Sequence, residues 1–249
     1  MPAQRLFKAF GMGLIGLLMA CTPTEEPVSK DRPTLKFTRD SRTAIAAYQR
    51  VSRRVEPVAE RICRDFHPNR PRTFCDFQVR VINDPKQRPN AFQHIGRDGR
   101  PVISFNINML RTFNNDDEIA FVFGHEAGHQ IATHIEQSRK NAAAGAILGG
   151  LIIAAGGGDV SAGIELGAQI GSRSYSKKFE LEADTIAAHV ADRAGYNASV
   201  GAKTFDRIQG SSALLATHPP SSERKDRVRR TITQINRAKA SGTRAPIVW

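Results

Sequence analysis

The sequence predicts a mostly helical α+β domain with one small antiparallel β-sheet. Three observations predict it. Apolar residues recur every three or four positions over long stretches, short runs near the middle alternate apolar and polar residues around turn signals, and the composition is that of one ordinary domain. Of 249 residues, 40% are hydrophobic and 24% charged, which supports a core and excludes a multi-span membrane protein. The 20 Gly and 13 Pro exclude a collagen-like or low-complexity chain.

The formal charge of +12 raises the question of an anionic partner. Its distribution answers it. Beyond Arg5 and Lys8, basic residues are scattered from Lys30 to Arg244, with short clusters at Arg53-Arg54 and Arg227 to Arg230, and no aromatic residues are interleaved as stacking platforms. A solvated surface is expected, with no nucleic acid as partner.

At the amino terminus, Arg5 and Lys8 precede an apolar run from Ala9 to Ala20, the pattern of an export signal and too short to span a bilayer. Leu18-Met19-Ala20-Cys21 resembles the lipobox of bacterial lipoproteins, in which the Cys becomes the lipidated first residue. Residues 1–20 are therefore expected as a lipoprotein signal peptide and Cys21 as the lipidation site. The three cysteines agree, since lipidating Cys21 leaves Cys63 and Cys75 as a pair in an oxidising compartment, to be disulfide-bonded or simply buried as thiols. By resemblance to enterobacterial sorting rules, Thr22 in place of Asp favours the outer membrane. The expectation is a periplasmic protein held by lipid to the inner leaflet of that membrane.

Residues 21–40 contain Pro23, Pro27 and Pro33 with little apolar content and read as a tether, leaving a domain over 41–240 and a tail over 241–249. Ile45, Tyr48, Val51, Val55, Val58, Ile62 and Phe66 predict an amphipathic helix from about Ser41 to Asp65, which Pro57 must kink or divide. Cys75, Phe77, Val79 and Val81 alternate with polar residues as a strand; Ala91 to Ile95 is a second, and Gly96-Arg97-Asp98-Gly99 turns the chain back as Pro101 to Ile107. Asn115 or Asp116 caps the next helix. The uncharged, Ala- and Gly-rich stretch from Ala142 to Gly158 is at the lower limit for crossing a membrane and is expected as a tightly packed helix of a buried hairpin. Later helices are expected from Lys177 to Ala194, closed by Gly195, from Ser199 to Gln209, and from Ser221 to Lys239.

The chemistry concentrates in His125-Glu126-Ala127-Gly128-His129, an HExxH pattern inside a helix. Two imidazoles four residues apart share a face, so both can reach one Zn²⁺, while the Glu126 carboxylate beside them can take a proton from water. Chance produces this pattern in about one such sequence in a hundred. A catalytic zinc requires a third protein ligand and an open position. His134, nine residues past His125, is expected on the opposite side of a continuing helix, as a structural or surface histidine. In Phe179-Glu180-Leu181-Glu182-Ala183-Asp184, Glu180 and Asp184 share a helix face while Glu182 points elsewhere. Glu180 is thus the carboxylate ligand put forward and Asp184 the acceptor that orients a ligating imidazole. The bland reading is that these acids complement a helix amino terminus.

Asp117 to His129, Glu180 to Asp184, and His218-Pro219-Pro220 with Arg224 resemble, in order, the three motif blocks of HtpX-like and CaaX-prenyl-endopeptidase-like zinc peptidases. The resemblance covers roughly Ser41 to Lys239 and is closest to the soluble periplasmic lipoprotein branch. It implies a zincin-type metallopeptidase domain holding one Zn²⁺ through His125, His129 and Glu180, with Glu126 as general base. It implies that His218 stabilises the oxyanion or occupies the open zinc position, with Arg224 alongside. Ser176-Lys177 stands where Ser-Arg is usual, and Gln93-His94 replaces part of a Gly-containing apolar run. By the same resemblance the strand edge near Asn90 to His94 pairs with an extended substrate. The expected function is a metalloendopeptidase acting on unfolded or misassembled envelope proteins, with the membrane and outer-membrane assembly proteins as partners. The alternative is a chaperone-like lipoprotein whose zinc site is structural or blocked by His218.

Overall fold

In the computed structural model, which describes residues 36–155, 159–161, 164–165, 176–204, 218 and 222–249, the first helix starts at a side-chain cap. Asp40 accepts from the Thr43 amide at 3.0 Å and from its hydroxyl at 2.6 Å, satisfying one of the free donors of the first turn. The helix, α1, runs Ser41–Phe66 and buries Ala44, Tyr48, Val51, Val55, Ala59 and Ile62 on one stripe. It continues through Pro57 and does not divide there. Pro57 lies on the exposed face, so the carbonyl of Arg53, which loses its helical donor, is turned toward water. The signal peptide, the lipidation site Cys21 and most of the tether, all within residues 1–35, lie outside the described residues.

Both flanks of the domain are held to it. Thr38 donates to the carbonyls of Arg111 at 2.8 Å and Phe113 at 2.7 Å, and the Phe37 ring lies 3.9 Å from the Arg111 guanidinium. At the other end Ala245 and Ile247 are buried and Trp249 packs on Phe66, with ring centres 4.4 Å apart.

The sheet is mixed, not antiparallel. Strands β1 (Gln78–Ile82), β2 (Ala91–Ile95) and β3 (Pro101–Asn106) are ordered β1-β3-β2, with β3 parallel to β1 and antiparallel to β2. The Gly96 to Gly99 turn makes the β2–β3 hairpin as expected, with Gly99 in the left-handed region at φ 78°. The connection from β1 to β2 is long enough to pass over one strand position, so β3 enters between them. Two reversals then leave β3 running with β1, a consequence that alternation along each strand does not carry. β1 also starts later than expected, because Arg72–Cys75 forms a 3₁₀ turn that brings Cys75 to Cys63 in a disulfide.

After β3, the Asn106 side chain accepts from the Met109 amide at 2.9 Å and starts the short helix α2 (Ile107–Thr112). Asn115 then caps α3 (Asp116–Ile131), whose first turn holds Asp116, Asp117 and Glu118 against the positive helix end. Most of α3 is buried, which is why it shows no amphipathic stripe. It packs on α1 and on α5 (Ser176–Arg193). The end of α5 is set by Gly195, at φ 84°, with the Tyr196 amide returning to the Ala191 carbonyl at 2.9 Å. The described elements also include a four-residue α6 (Ala198–Gly201) and the C-terminal α7 (Ser222–Ala240); the helix expected to Gln209 gives way to a turn at Ala202 and Lys203, and residues 205–209 lie outside the described residues.

Two expectations about the middle of the chain are corrected. The HExxH helix does not continue through His134: α3 ends at Ile131, Thr133 adopts φ 58°, and a new helix, α4 (His134–Ala155), begins there. The Ala- and Gly-rich part of α4 is also not buried, since Ile147, Leu148, Leu151 and Ile152 are 60–70% exposed. Apolar composition makes a surface that favours burial; it does not supply the partner surface. No described helix is long and apolar enough to cross a membrane.

Candidate metal centre

Close helix packing builds the site. α3 contributes His125, Glu126 and His129; α5 contributes Glu180, Glu182 and Asp184; α7 contributes Arg224; and His218 comes from the segment before α7. The i, i+4 spacing brings the Nε2 atoms of His125 and His129 to 3.2 Å. Glu180 reaches both, with Oε2 at 3.3 Å from His125 Nε2 and Oε1 at 3.6 Å from His129 Nε2. His218 Nδ1 lies 3.3 Å from His125 Nε2 and 2.8 Å from Glu180 Oε1.

These separations test whether the group fits a metal. Ligand atoms about 2.0 to 2.1 Å from a tetrahedral zinc stand about 3.3 Å from one another. One donor atom from each of His125, His129, Glu180 and His218 lies within 4.8 Å of every other, and the closest pairs fall on that spacing. Three of the four are buried, and the set of imidazoles with one carboxylate is of the kind zinc selects.

Glu126 stands next to the cluster. Its carboxylate is buried and neither oxygen has a hydrogen-bond partner among the described residues; His218 Nε2 is 3.9 Å from Oε1. Burial raises its pKa, and the nearby His218 and His125 only partly offset this. A buried carboxylate without a donor is costly, and such a group facing a cleft is suited to taking and returning a proton. The cleft itself has a volume of about 420 Å³ and is lined by Phe92, Gln93, Ile135 and Phe179 around Glu126 and His129.

Carboxylates fix the imidazoles from behind. His125 Nδ1 donates to Asp184 Oδ1 at 2.9 Å, and Arg224 clamps the same carboxylate through Nε at 2.7 Å and Nη2 at 2.8 Å. Arg224 also donates to the His218 carbonyl at 3.0 Å and lies 3.1 Å from Glu180 Oε2. Burial opposes charge on His125, but the hydrogen bonds to Asp184 and Glu180 outweigh it and raise its pKa to about 9. Burial and the neighbouring His125 hold His129 well below the ordinary histidine value. Burial works against the Glu180 carboxylate, yet hydrogen bonds from His125 and His218 keep it well below the usual carboxylate range. For Asp184 too, Arg224 and His125 outweigh burial and lower the pKa.

Thus the structure brings together His125, Glu126, His129, Glu180, Asp184, His218 and Arg224, all seven singled out in the sequence. The roles of His134 and Glu182 were not legible there. His134 is buried, its Nδ1 lies 2.9 Å from His129 Nδ1, and its Nε2 lies 2.9 Å from Glu182 Oε2. Glu182 does point away from Glu180, but to His134. A reversal at Thr133 makes this contact, and a single threonine carries no signal for it. Gly124 and Gly128 let α3 approach the α5 backbone, a contact between distant segments that no local spacing signals.

Residues 47–232 match peptidase family M48, and the chain belongs to that family. It is 28% identical to the mitochondrial metalloendopeptidase OMA1 of Saccharomyces cerevisiae over 171 residues, covering 64% of this chain and 48% of the yeast protein. It is 31% identical to the mitochondrial metalloendopeptidase OMA1 of Arabidopsis thaliana over 153 residues, covering 59% of this chain and 30% of that protein. The chain therefore spans less than half the length of these curated relatives.

Proposed function

We propose that this member of peptidase family M48 is a zinc-dependent metalloendopeptidase that hydrolyses peptide bonds of unfolded or misassembled proteins in the bacterial cell envelope. The observation that carries the reading is the unpartnered Glu126 carboxylate beside four converging metal donors. His125, His129 and Glu180 would hold the ion. Zinc bound there supplies a Lewis acid that polarises the scissile carbonyl and makes water a better nucleophile near neutral pH.

The chain's own groups do the rest. Glu126 takes the proton from the attacking water and delivers it to the departing amine, a role helped by a pKa that burial has raised. His218 faces the same space and can donate to the oxygen on which negative charge develops. Strand β2 is at the sheet edge, and its Phe92 and Gln93 line the cleft with Glu126. An extended substrate pairing with that edge passes over the site, which selects unfolded or locally extended chains. Support for the envelope location is the Leu18-Met19-Ala20-Cys21 sequence behind an export-type segment. Lipid on Cys21 would anchor the protein to the inner leaflet of the outer membrane, near assembling outer-membrane proteins.

The test is Glu126→Gln, which should keep fold and one equivalent of zinc yet lose cleavage of unfolded casein. Retained cleavage would remove Glu126 from the reaction. A second reading is favoured by one observation, that His218 Nδ1 sits among the donors at 3.3 Å from His125 Nε2. A fourth protein ligand closes the open position, giving a self-blocked site in a chaperone-like binder. His218→Ala separates the two: a rise in turnover marks a blocked peptidase. One equivalent of zinc with no turnover in either wild type or His218→Ala marks the binder.

A further inference from the structure

Glu182 and His134 are absent from the set of groups that face the proposed metal, yet they determine the protonation of one that does. Glu182 Oε2 lies 2.9 Å from His134 Nε2. A carboxylate accepts only, so the His134 proton is on Nε2. Neutral His134 then presents a lone pair at Nδ1, which lies 2.9 Å from His129 Nδ1. His129 must donate that bond, which puts its own proton on Nδ1 and leaves Nε2 bare toward His125 and Glu180.

The arrangement is held rigidly. His134 is buried and stacks on Phe179 with ring centres 4.2 Å apart and planes 14° apart. Lys178 Nζ lies 3.6 Å from the other oxygen of Glu182. His125 is oriented by a shorter route, because its Nδ1 donates directly to Asp184. The two imidazoles are thus backed differently, one by a carboxylate and the other by a carboxylate acting through an interposed imidazole.

We propose that His134 and Glu182 are positioning residues for the metal, a hydrogen-bonded relay that holds His129 in its ligating tautomer and orientation. This rests on the reading of His125, His129 and Glu180 as zinc ligands. Without the relay, the His129 Nδ1 proton has no acceptor in a buried place, and the ring gains by turning or by moving the proton to Nε2, where it blocks ligation.

The experiment is zinc titration of the full chain against a competing chromophoric chelator, with folding of each variant checked by circular dichroism and thermal melting. Wild type should bind one zinc, and His134→Phe and Glu182→Leu, which removes the acceptor for His134 Nε2, should each bind it about 10- to 100-fold more weakly. His134→Asn, whose side-chain carbonyl can accept from His129 Nδ1, should recover most of the loss in His134→Phe. Either folded variant, His134→Phe or Glu182→Leu, binding within about twofold of wild type overturns the relay, as does absence of recovery in His134→Asn. If His134→Phe does not fold, Glu182→Leu decides. Failure of wild type itself to bind zinc is a different result, and it overturns the metal site along with the relay.

Discussion

Gly128 on α3 lies so near Ala183 on α5 that a methyl group on it would stand 3.0 Å from both the Cα and the carbonyl oxygen of Ala183. One turn earlier Gly124 meets Ala187 in the same way, at 3.0 Å and 3.1 Å. Each glycine immediately precedes a metal-facing histidine, and Ala183 immediately precedes Asp184. The contact that packs the helices therefore also sets the distance between His129 and Glu180. Gly128→Ala should destabilise by about 1 to 3 kcal/mol, because backbone cannot move aside as a flexible side chain can. On an open helix the same change would stabilise by up to about 1 kcal/mol. Denaturant unfolding checks the sign, and chelator competition should show weaker zinc binding in the same variant.

Asp184→Asn should be more damaging than its size implies. The Asp184 carboxylate is fully buried and neutralises Arg224 through two hydrogen bonds while accepting one from His125. Its loss removes one of the two carboxylates that compensate the buried Arg224 guanidinium, leaving Glu180 at 3.1 Å as the other, a change that costs up to about 3 to 5 kcal/mol. Zinc affinity should fall about 10- to 100-fold through His125. Unfolding in urea and zinc titration measure the two effects separately. Arg224→Lys should fall in the same direction, since an ammonium cannot reproduce the forked contact.

Zinc and a proton should compete for His125. Its pKa is raised to about 9, whereas His129 is held well below the ordinary histidine value and Glu180 well below the usual carboxylate range. Between pH 6.5 and 9, His129 is already neutral and Glu180 already ionised, so one proton must leave, from His125. Apparent zinc affinity should therefore rise with pH by about tenfold per unit and level off near pH 9. Calorimetry in buffers of different ionisation enthalpy should show about one proton released per zinc at pH 7.5. Release of none would show that His125 is neutral there.

The disulfide should matter to stability and not to the site. Cys63 and Cys75 are bonded across a separation of 12 residues, tying the end of α1 to the turn before β1, and neither is near the ligand set in the chain. Replacing both by Ala should cost about 3 kcal/mol through the freedom returned to the unfolded chain. Urea midpoints with and without reductant measure this, with unchanged zinc affinity as the accompanying result.

What the sequence determined by itself is what local spacing determines. His125 and His129 share a face because a helix repeats every 3.6 residues, and Glu180 and Asp184 share one for the same reason. The Asn115 cap, the Gly99 turn and the Gly195 stop were legible because each is a choice of residue for a local backbone shape. The tertiary structure decided everything that depends on how distant segments meet. It inserted β3 between β1 and β2, turned His134 back onto His129 through Thr133, aimed Glu182 at His134, and left the apolar residues of α4 exposed. Periodicity states which side of an element is apolar or acidic, but not which other element, if any, arrives to cover it.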